Sequence, residues 1–355
     1  MNSKKAYILA FQKATNYGAV LQIYALKTTL EKLDLTVEVI DYIPKWMQVT
    51  LKNQPSLKSF LKRKIMNLTF KSFFKKLKLT QNSYYDNKSL THDLNTGDFY
   101  FVGSDQVWNP KIMQNDSTYF LDFVPKNAKK IGYAVSMGNQ VISDKFMTKV
   151  LPLIKDFDFI SAREDFVTNF IHNYDKNIQI PIVLDPTLLL NASDYETLKD
   201  KTKFRSKYIA VYAAMHDENL YDYARYLKEK TGLPIINLGY HFNGADRQEY
   251  IKGPGNWLNR IEQSNYFITN SFHGTVFSIL YKKEFFVVPN QNQLGLNARF
   301  IELLESLKLN SRLIHSKHEI DTLLHSKLVF ENAYLLLKER KKQSLKYIKE
   351  TIEND

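Results

Sequence analysis

Residues 268–280 read ITNSFHGTVFSIL: an apolar run breaks into the polar cluster Asn270, Ser271 and His273 and then resumes at helical density. A buried strand feeding a helix through a short polar turn is the repeating unit of a parallel α/β sheet. The spacing predicts a strand over Tyr266–Thr269 and a helix over Thr275–Tyr281. A helix N-terminus carries unsatisfied N–H groups and partial positive charge, so an anion is expected against the backbones of Gly274 and Thr275. Ser271 would add a hydroxyl and His273 a labile proton. A plainer reading also fits: Ser271 is a helix cap and His273 a histidine satisfied at the surface.

The same alternation extends outward in both directions. Towards the N-terminus, strands are expected at Ala6–Phe11, Thr36–Asp41, Phe99–Gly103, Lys130–Ala134, Phe157–Ala162 and Ile182–Leu184, with helices at Gly18–Leu33 and Arg163–Tyr174. A second series holds strands at Tyr208–Ala213, Leu233–Leu238, Tyr266–Thr269 and Phe285–Val288, and helices at Glu218–Thr231 and Asn256–Gln263. The polar stretch PTLLLNASDYETLKDKTKFRSK between them reads as a crossing, and a charged helix over Glu331–Ile352 closes the sequence. The expected organisation is therefore a Rossmann-like N-terminal domain over 1–188 with a basic helical insertion at 45–97, a Rossmann-like C-terminal domain over 189–330, and a C-terminal helix over 331–355. Two Rossmann-like domains in tandem suggest a GT-B-like α/β arrangement with the active site in the interdomain cleft. Open α/β sheets bind ligands beyond the carboxyl ends of their strands.

Polar residues placed just after predicted strands are thus the candidates for chemistry. In FVGSDQVWNP, residues 101–110, Asp105 is positioned to act as a base toward a sugar hydroxyl, Ser104 and Gln106 to bind hydroxyls, and Trp108 to stack on a pyranose. Capping by Ser104 and Asp105, with Trp108 filling a core gap, fits as well. In TNYGAVLQ, Asn16, Tyr17, Gly18 and Gln22 are candidate sugar ligands, or simply a capped helix start. SAREDF offers Arg163 and Glu164, an arginine able to fork onto a carboxylate or phosphate, or an ion pair at the surface. Ser136 and Asp185 end two further strands, and Arg299 and Arg312 are either anion ligands or solvated helix charges.

Composition narrows the classes. The 355-residue chain is 44% hydrophobic and 24% charged, as a folded protein is, and has no cysteine, which removes disulfides, thiolate metal sites and a cysteine nucleophile. The spacings G-x-G-x-x-G and G-x-x-x-x-G-K are absent after the first strand. No window approaches the roughly 20 apolar residues of a spanning helix, and the N-terminal apolar run is too short for a signal peptide. These features favour a cytoplasmic protein. The net charge of +12 is concentrated in residues 45–79, which hold ten Lys or Arg and no Asp or Glu. One basic block implies one local anionic partner, and without a groove-binding or base-stacking motif that partner is not nucleic acid.

Taken in order, TNYGAVLQIYAL, GSDQVWNP, YAVSMG, SAREDF, LDPTLLL and SFHGTVFSIL resemble the polysaccharide pyruvyltransferase family over nearly the whole chain. The resemblance implies a GT-B-like fold, phosphoenolpyruvate as co-substrate with no further cofactor and no metal, and a pyruvate ketal formed on a sugar of a surface polysaccharide. It also implies an essential histidine at His273 and an essential arginine at Arg163. Some members carry an arginine where this chain has Ser271, and Arg299 or Arg312 is the expected replacement. A nucleotide-sugar glycosyltransferase and a non-catalytic glycan-binding protein of the same fold are the alternatives. Surface glycans are commonly built on lipid carriers, which gives the basic block a reading of its own. Leu57, Phe60, Leu61, Ile65 and Leu68 share one face of an expected helix, with Lys58, Lys62 and Arg63 off it, and Phe70, Phe73, Phe74 and Leu77 repeat the spacing. Such faces either lie on anionic lipid at the inner face of the membrane or pack on the N-terminal domain.

Overall fold

The computed structural model describes residues 3–52, 57–138, 141–249, 252–291, 294–326 and 328–353. The chain forms two compact units: the first holds Met1–Asn67, Phe74–Leu190 and Arg340–Asp355, the second Leu68–Phe73 and Asn191–Glu339.

The first unit is built on six parallel strands, β1 (Lys5–Leu9), β2 (Thr36–Tyr42), β3 (Leu79–Tyr84), β4 (Phe99–Val102), β5 (Lys129–Val135) and β6 (Phe159–Ala162), in the order β3-β2-β1-β4-β5-β6. The second holds β7 (Ile209–Tyr212), β8 (Ile235–Asn237), β9 (Arg247–Gln248), β10 (Tyr266–Thr269) and β11 (Glu284–Val287), in the order β11-β10-β7-β8-β9. Both follow the doubly wound rule: each sheet grows one way from its first strand and then reverses to grow the other way. The reversal falls between β1 and β4 in the first unit and between β7 and β10 in the second. Because helices cover parallel strands on both faces, the central strands FYFV, IAVY and YFIT are nearly continuous apolar runs.

Helix starts are fixed locally. Asn16 caps the Tyr17–Glu31 helix by accepting from Ala19 N, and Asp217 caps Glu218–Thr231 by accepting from Asn219 N and Leu220 N. Gly232, at φ +68°, ends the latter in the left-handed conformation.

The structure departs from the expected elements in a few places. The segment 45–97 is not purely helical, because LTQNSY at 79–84 adds edge strand β3 to the first sheet. Ile182 makes only an isolated bridge to Ala162, flanked by prolines at 181 and 186, so Ile182–Leu184 is not a strand. The stretch expected to be loop-like contains two 3₁₀ segments, Pro186–Leu189 and Ala192–Leu198, with Leu188, Leu189 and Leu190 buried. The terminal helix, Glu331–Glu353, is shared between the units, its residues up to Glu339 in the second and those from Arg340 in the first.

Candidate active site

In the second unit, the turn between β10 and the Phe272–Leu280 helix lies at the point where the strand order reverses. Asn270 ties this turn to the one following β7: its Oδ1 accepts from Ala214 N at 2.8 Å, and its Nδ2 donates to Met215 O at 3.2 Å and Asp217 Oδ2 at 3.3 Å. Ser271 is the helix cap, its hydroxyl accepting from Gly274 N at 3.2 Å. His273 follows two residues later, within the first helical turn rather than ahead of it, because the helix begins at Phe272 and not Thr275. The whole turn is buried: Asn270, Ser271 and His273 are each 7% exposed, and Thr275, Val276 and Phe277 are fully buried. The imidazole is therefore buried at the helix start, its Nε2 without accessible surface. The Arg299 guanidinium lies 5.9 Å from the ring of Phe272, bringing a cation to the residue beside His273.

Two expectations are corrected. The N–H of Gly274 is committed to Ser271 Oγ, and the N–H and hydroxyl of Thr275 both donate to the Ser271 carbonyl, at 2.9 and 3.0 Å. These groups complete the cap rather than present donors to a ligand. Glycine at 274 answers a packing demand, since a Cβ there would come within 2.6 Å of Thr269 Oγ1. Arg312 is excluded from the site for a different reason: its Nη1 is bonded to Glu284 Oε2 at 3.0 Å, at the amino-terminal start of β11. Its guanidinium is thereby held away from the carboxyl ends of the strands.

In the first unit, the residues after β4, β5 and β6 converge on Arg163. Its Nη1 donates to Asp185 Oδ2 at 2.9 Å and to Ser104 Oγ at 3.4 Å, its Nε donates to Glu164 Oε2 at 3.3 Å, and its Nη2 lies 3.8 Å from Asp105 Oδ1. Ser104 Oγ also donates to Asp185 Oδ2 at 2.9 Å, and Ser136 Oγ donates to Glu164 Oε1. Asp185 Oδ1 in turn accepts from the N–H and hydroxyl of Thr187. Burial works against the arginine's charge, but Glu164, Asp185 and Asp105 together hold its pKa above the ordinary value. A bulge in β5, with Ala134 at φ +51°, shifts the register and carries Ser136 into this cluster.

Arg163 is neither a surface ion pair nor poised as an anion clamp. Its side chain is 2% exposed and already engaged by two buried carboxylates. Asp105, 21% exposed and held at φ +73°, is the member of the group that reaches solvent. Trp108 is fully buried, stacks on Phe120 at 5.1 Å and donates from Nε1 to Tyr119 O, so it packs the core and offers no face to a sugar. Gln106 Oε1 accepts from Asn109 Nδ2 at 2.7 Å, and both side chains crowd Gly138, which lies at φ +76°. Asn16 spends its side chain on the cap, with Tyr17 and Gly18 buried behind it. Gln22 is buried, donates to Ala19 O and has its Oε1 directed toward Gly103.

Sequence reasoning assigned no role to Asn270, nor to the exposed His216 in the turn after β7. Their position beside the reversal of the second sheet is the signal that finds them. Among the described residues no three His, Asp or Glu side chains converge as a metal site.

A family model for polysaccharide pyruvyl transferases matches residues 16–292. No curated protein matches in sequence. Similar solved structures include a glycosyltransferase from Rickettsia africae, with a TM-score of 0.54, 12% identity and full coverage of both chains. Another is S. aureus MnaA solved with UDP, with a TM-score of 0.53 and 13% identity over 99% of this chain and 97% of that one. A third is the UDP-GlcNAc 2-epimerase of Methanocaldococcus jannaschii in complex with UDP-GlcNAc and UDP, with a TM-score of 0.50 and 14% identity over 97% and 99%. At these identities the likeness concerns the fold, α/β with parallel sheets of the GT-B class.

Proposed function

Because the chain belongs to the polysaccharide pyruvyl transferase family, we propose that it transfers the three-carbon unit of phosphoenolpyruvate to a sugar of a cell-surface polysaccharide, as a cyclic pyruvate ketal. The observation that carries this reading is the position of His273, a buried imidazole in the first turn of a helix, where the second sheet reverses its strand order. A helix start favours a bound anion, and an imidazolium there can donate a proton without a metal. Arg299, near Phe272, supplies a second positive charge for a donor that carries both a carboxylate and a phosphate.

In this mechanism His273 protonates the methylene carbon, and positive charge develops at the middle carbon, shared with the phosphate-ester oxygen. A sugar hydroxyl adds there and loses its proton. The bond to the phosphate oxygen then breaks with its electron pair, and a second hydroxyl of the same sugar adds and loses its proton, closing the ketal. Of the two hydroxyl protons, one restores the acid and the other leaves with the phosphate. The products are one ketal and one inorganic phosphate. Asp105 is the carboxylate we assign to taking up a hydroxyl proton. Arg163 is a positioning residue for it, acting through the 3.8 Å contact.

The test is incubation with phosphoenolpyruvate and lipid-linked or polymeric acceptors, following phosphate release and product mass. Wild-type protein should give equal phosphate and ketal, and His273→Ala should lower turnover by at least about 100-fold with the fold retained. Full activity in that variant would end the assignment. Turnover with a nucleotide sugar, and none with phosphoenolpyruvate, would replace the reaction with glycosyl transfer.

A further inference from the structure

The basic segment contains a helix, Leu57–Phe74, with apolar residues on two nearly opposite sides. At about 3.6 residues per turn, Met66, Phe70 and Phe73 fall on one side and Leu61, Ile65 and Leu68 on the other. On the first side Phe70 and Phe73 are buried, as is Leu77 just beyond the helix, but Leu68–Phe73 belong to the second unit and not to the N-terminal domain on which the sequence let them pack. The second side faces solvent. Leu61 is 49% exposed, Ile65 47% and Leu68 62%, three of the larger apolar exposures among the described residues. Lys64 and Lys71, both exposed, fall along one border of that stripe, and exposed Lys75 and Lys76 continue the positive charge past the helix end. Leu57, Lys58, Phe60, Lys62 and Arg63, which the sequence also placed on this helix, lie outside the described side chains.

A globular helix normally buries its one apolar stripe and presents polar residues elsewhere. Here one stripe is buried and a second is left in water, bordered by lysines in a 35-residue stretch, 45–79, that lacks any carboxylate side chain. We infer that the Leu61–Ile65–Leu68 face docks on an anionic lipid surface, its three apolar side chains entering the headgroup boundary while the lysines meet lipid phosphates. Charge complementarity selects this occupant. A second copy of the chain would set the lysines of one copy against those of the other, and an ordinary protein partner would not require so uniform a charge. Among the described residues no helix is long and apolar enough to cross a membrane, so the contact is peripheral. The inference goes beyond the proposed reaction and is read without substrate, so either can fail alone.

The experiment is co-sedimentation of the full chain with vesicles of phosphatidylcholine, with and without phosphatidylglycerol. Binding should require phosphatidylglycerol and weaken as salt rises. Lys64→Glu with Lys71→Glu, which alters only exposed side chains, should reduce affinity by roughly tenfold or more, and Leu61→Ser/Ile65→Ser/Leu68→Ser should abolish it, with circular dichroism unchanged for both. Absence of binding to phosphatidylglycerol vesicles, or binding that the lysine variant leaves intact, overturns the proposal. A dimer that forms without vesicles and is dispersed by the leucine–isoleucine variant also overturns it, by making the face a contact between copies.

Discussion

Replacing Arg163 by methionine would strand the buried carboxylates of Asp185 and Glu164 without their cation, and loss of one partner from a buried ion pair costs about 3–5 kcal/mol. Urea unfolding of Arg163→Met should show a loss of that order. Arg163→Lys should fall in between, because an ammonium cannot reach Asp185, Glu164 and Asp105 with the geometry of a fork. If the arginine instead gripped the donor, Arg163→Met would keep its stability and lose affinity, which would reverse the assignment made from the geometry. Sequence alone could place Arg163, Asp185, Ser104 and Ser136 after strands, and so near one another. It could not reveal that they satisfy one another, since saturation depends on distances of a few tenths of an ångström. Trp108 illustrates the same limit, because an indole suited to covering a sugar is equally suited to lying against Phe120.

At the scale of elements, the passage from β10 into the Phe272–Leu280 helix was legible because an apolar strand, a serine cap and a glycine follow one another within a few residues. Strand β3 was not, because LTQNSY is a polar edge strand whose pairing to β2 comes from the neighbour and not from its own pattern. The helix Leu294–Ser306 was likewise missed, although NARF within it supplied Arg299 as a candidate. The β10 junction also carries a prediction. Alanine at 274 should favour the helix by up to about 1 kcal/mol on propensity alone. Its Cβ would, however, fall 2.6 Å from Thr269 Oγ1, an atom already fixed by its bond to Tyr212 O. The expected net effect of Gly274→Ala is a loss of about 1–3 kcal/mol, measured by thermal unfolding. A raised melting temperature would mean that the helix start can move away from the strand, and that the cap around His273 is looser than described.

For the molecule as a whole, the two sheets share a strand order but not a ligand assignment, and unfolding need not be a single transition. Phosphoenolpyruvate at about 100 times its Kd should stabilise the species that binds it by about 2.7 kcal/mol. In a thermal melt this should appear as an upward shift of the transition that includes the second unit, with UDP- and GDP-sugars giving none. The same shift with a UDP-sugar, and none with phosphoenolpyruvate, would place the chain with nucleotide-sugar enzymes in chemistry as well as in fold. The GT-B class was readable from the sequence because two series of apolar strands and amphipathic helices are separated by one polar crossing. The division of the closing helix was not readable, since nothing in its own composition says where its partners lie.

That division bears on how the molecule comes into being. Ser344 receives a hydrogen bond from Leu184 N, and Ile348 and Thr351 are buried, so the first unit is finished by residues made long after its sheet. While the intervening residues 191–339 emerge from the ribosome, the earlier unit must wait with an open flank for its last piece. A nascent chain stalled before position 340 should therefore hold a complete six-stranded sheet that is still missing part of its own covering.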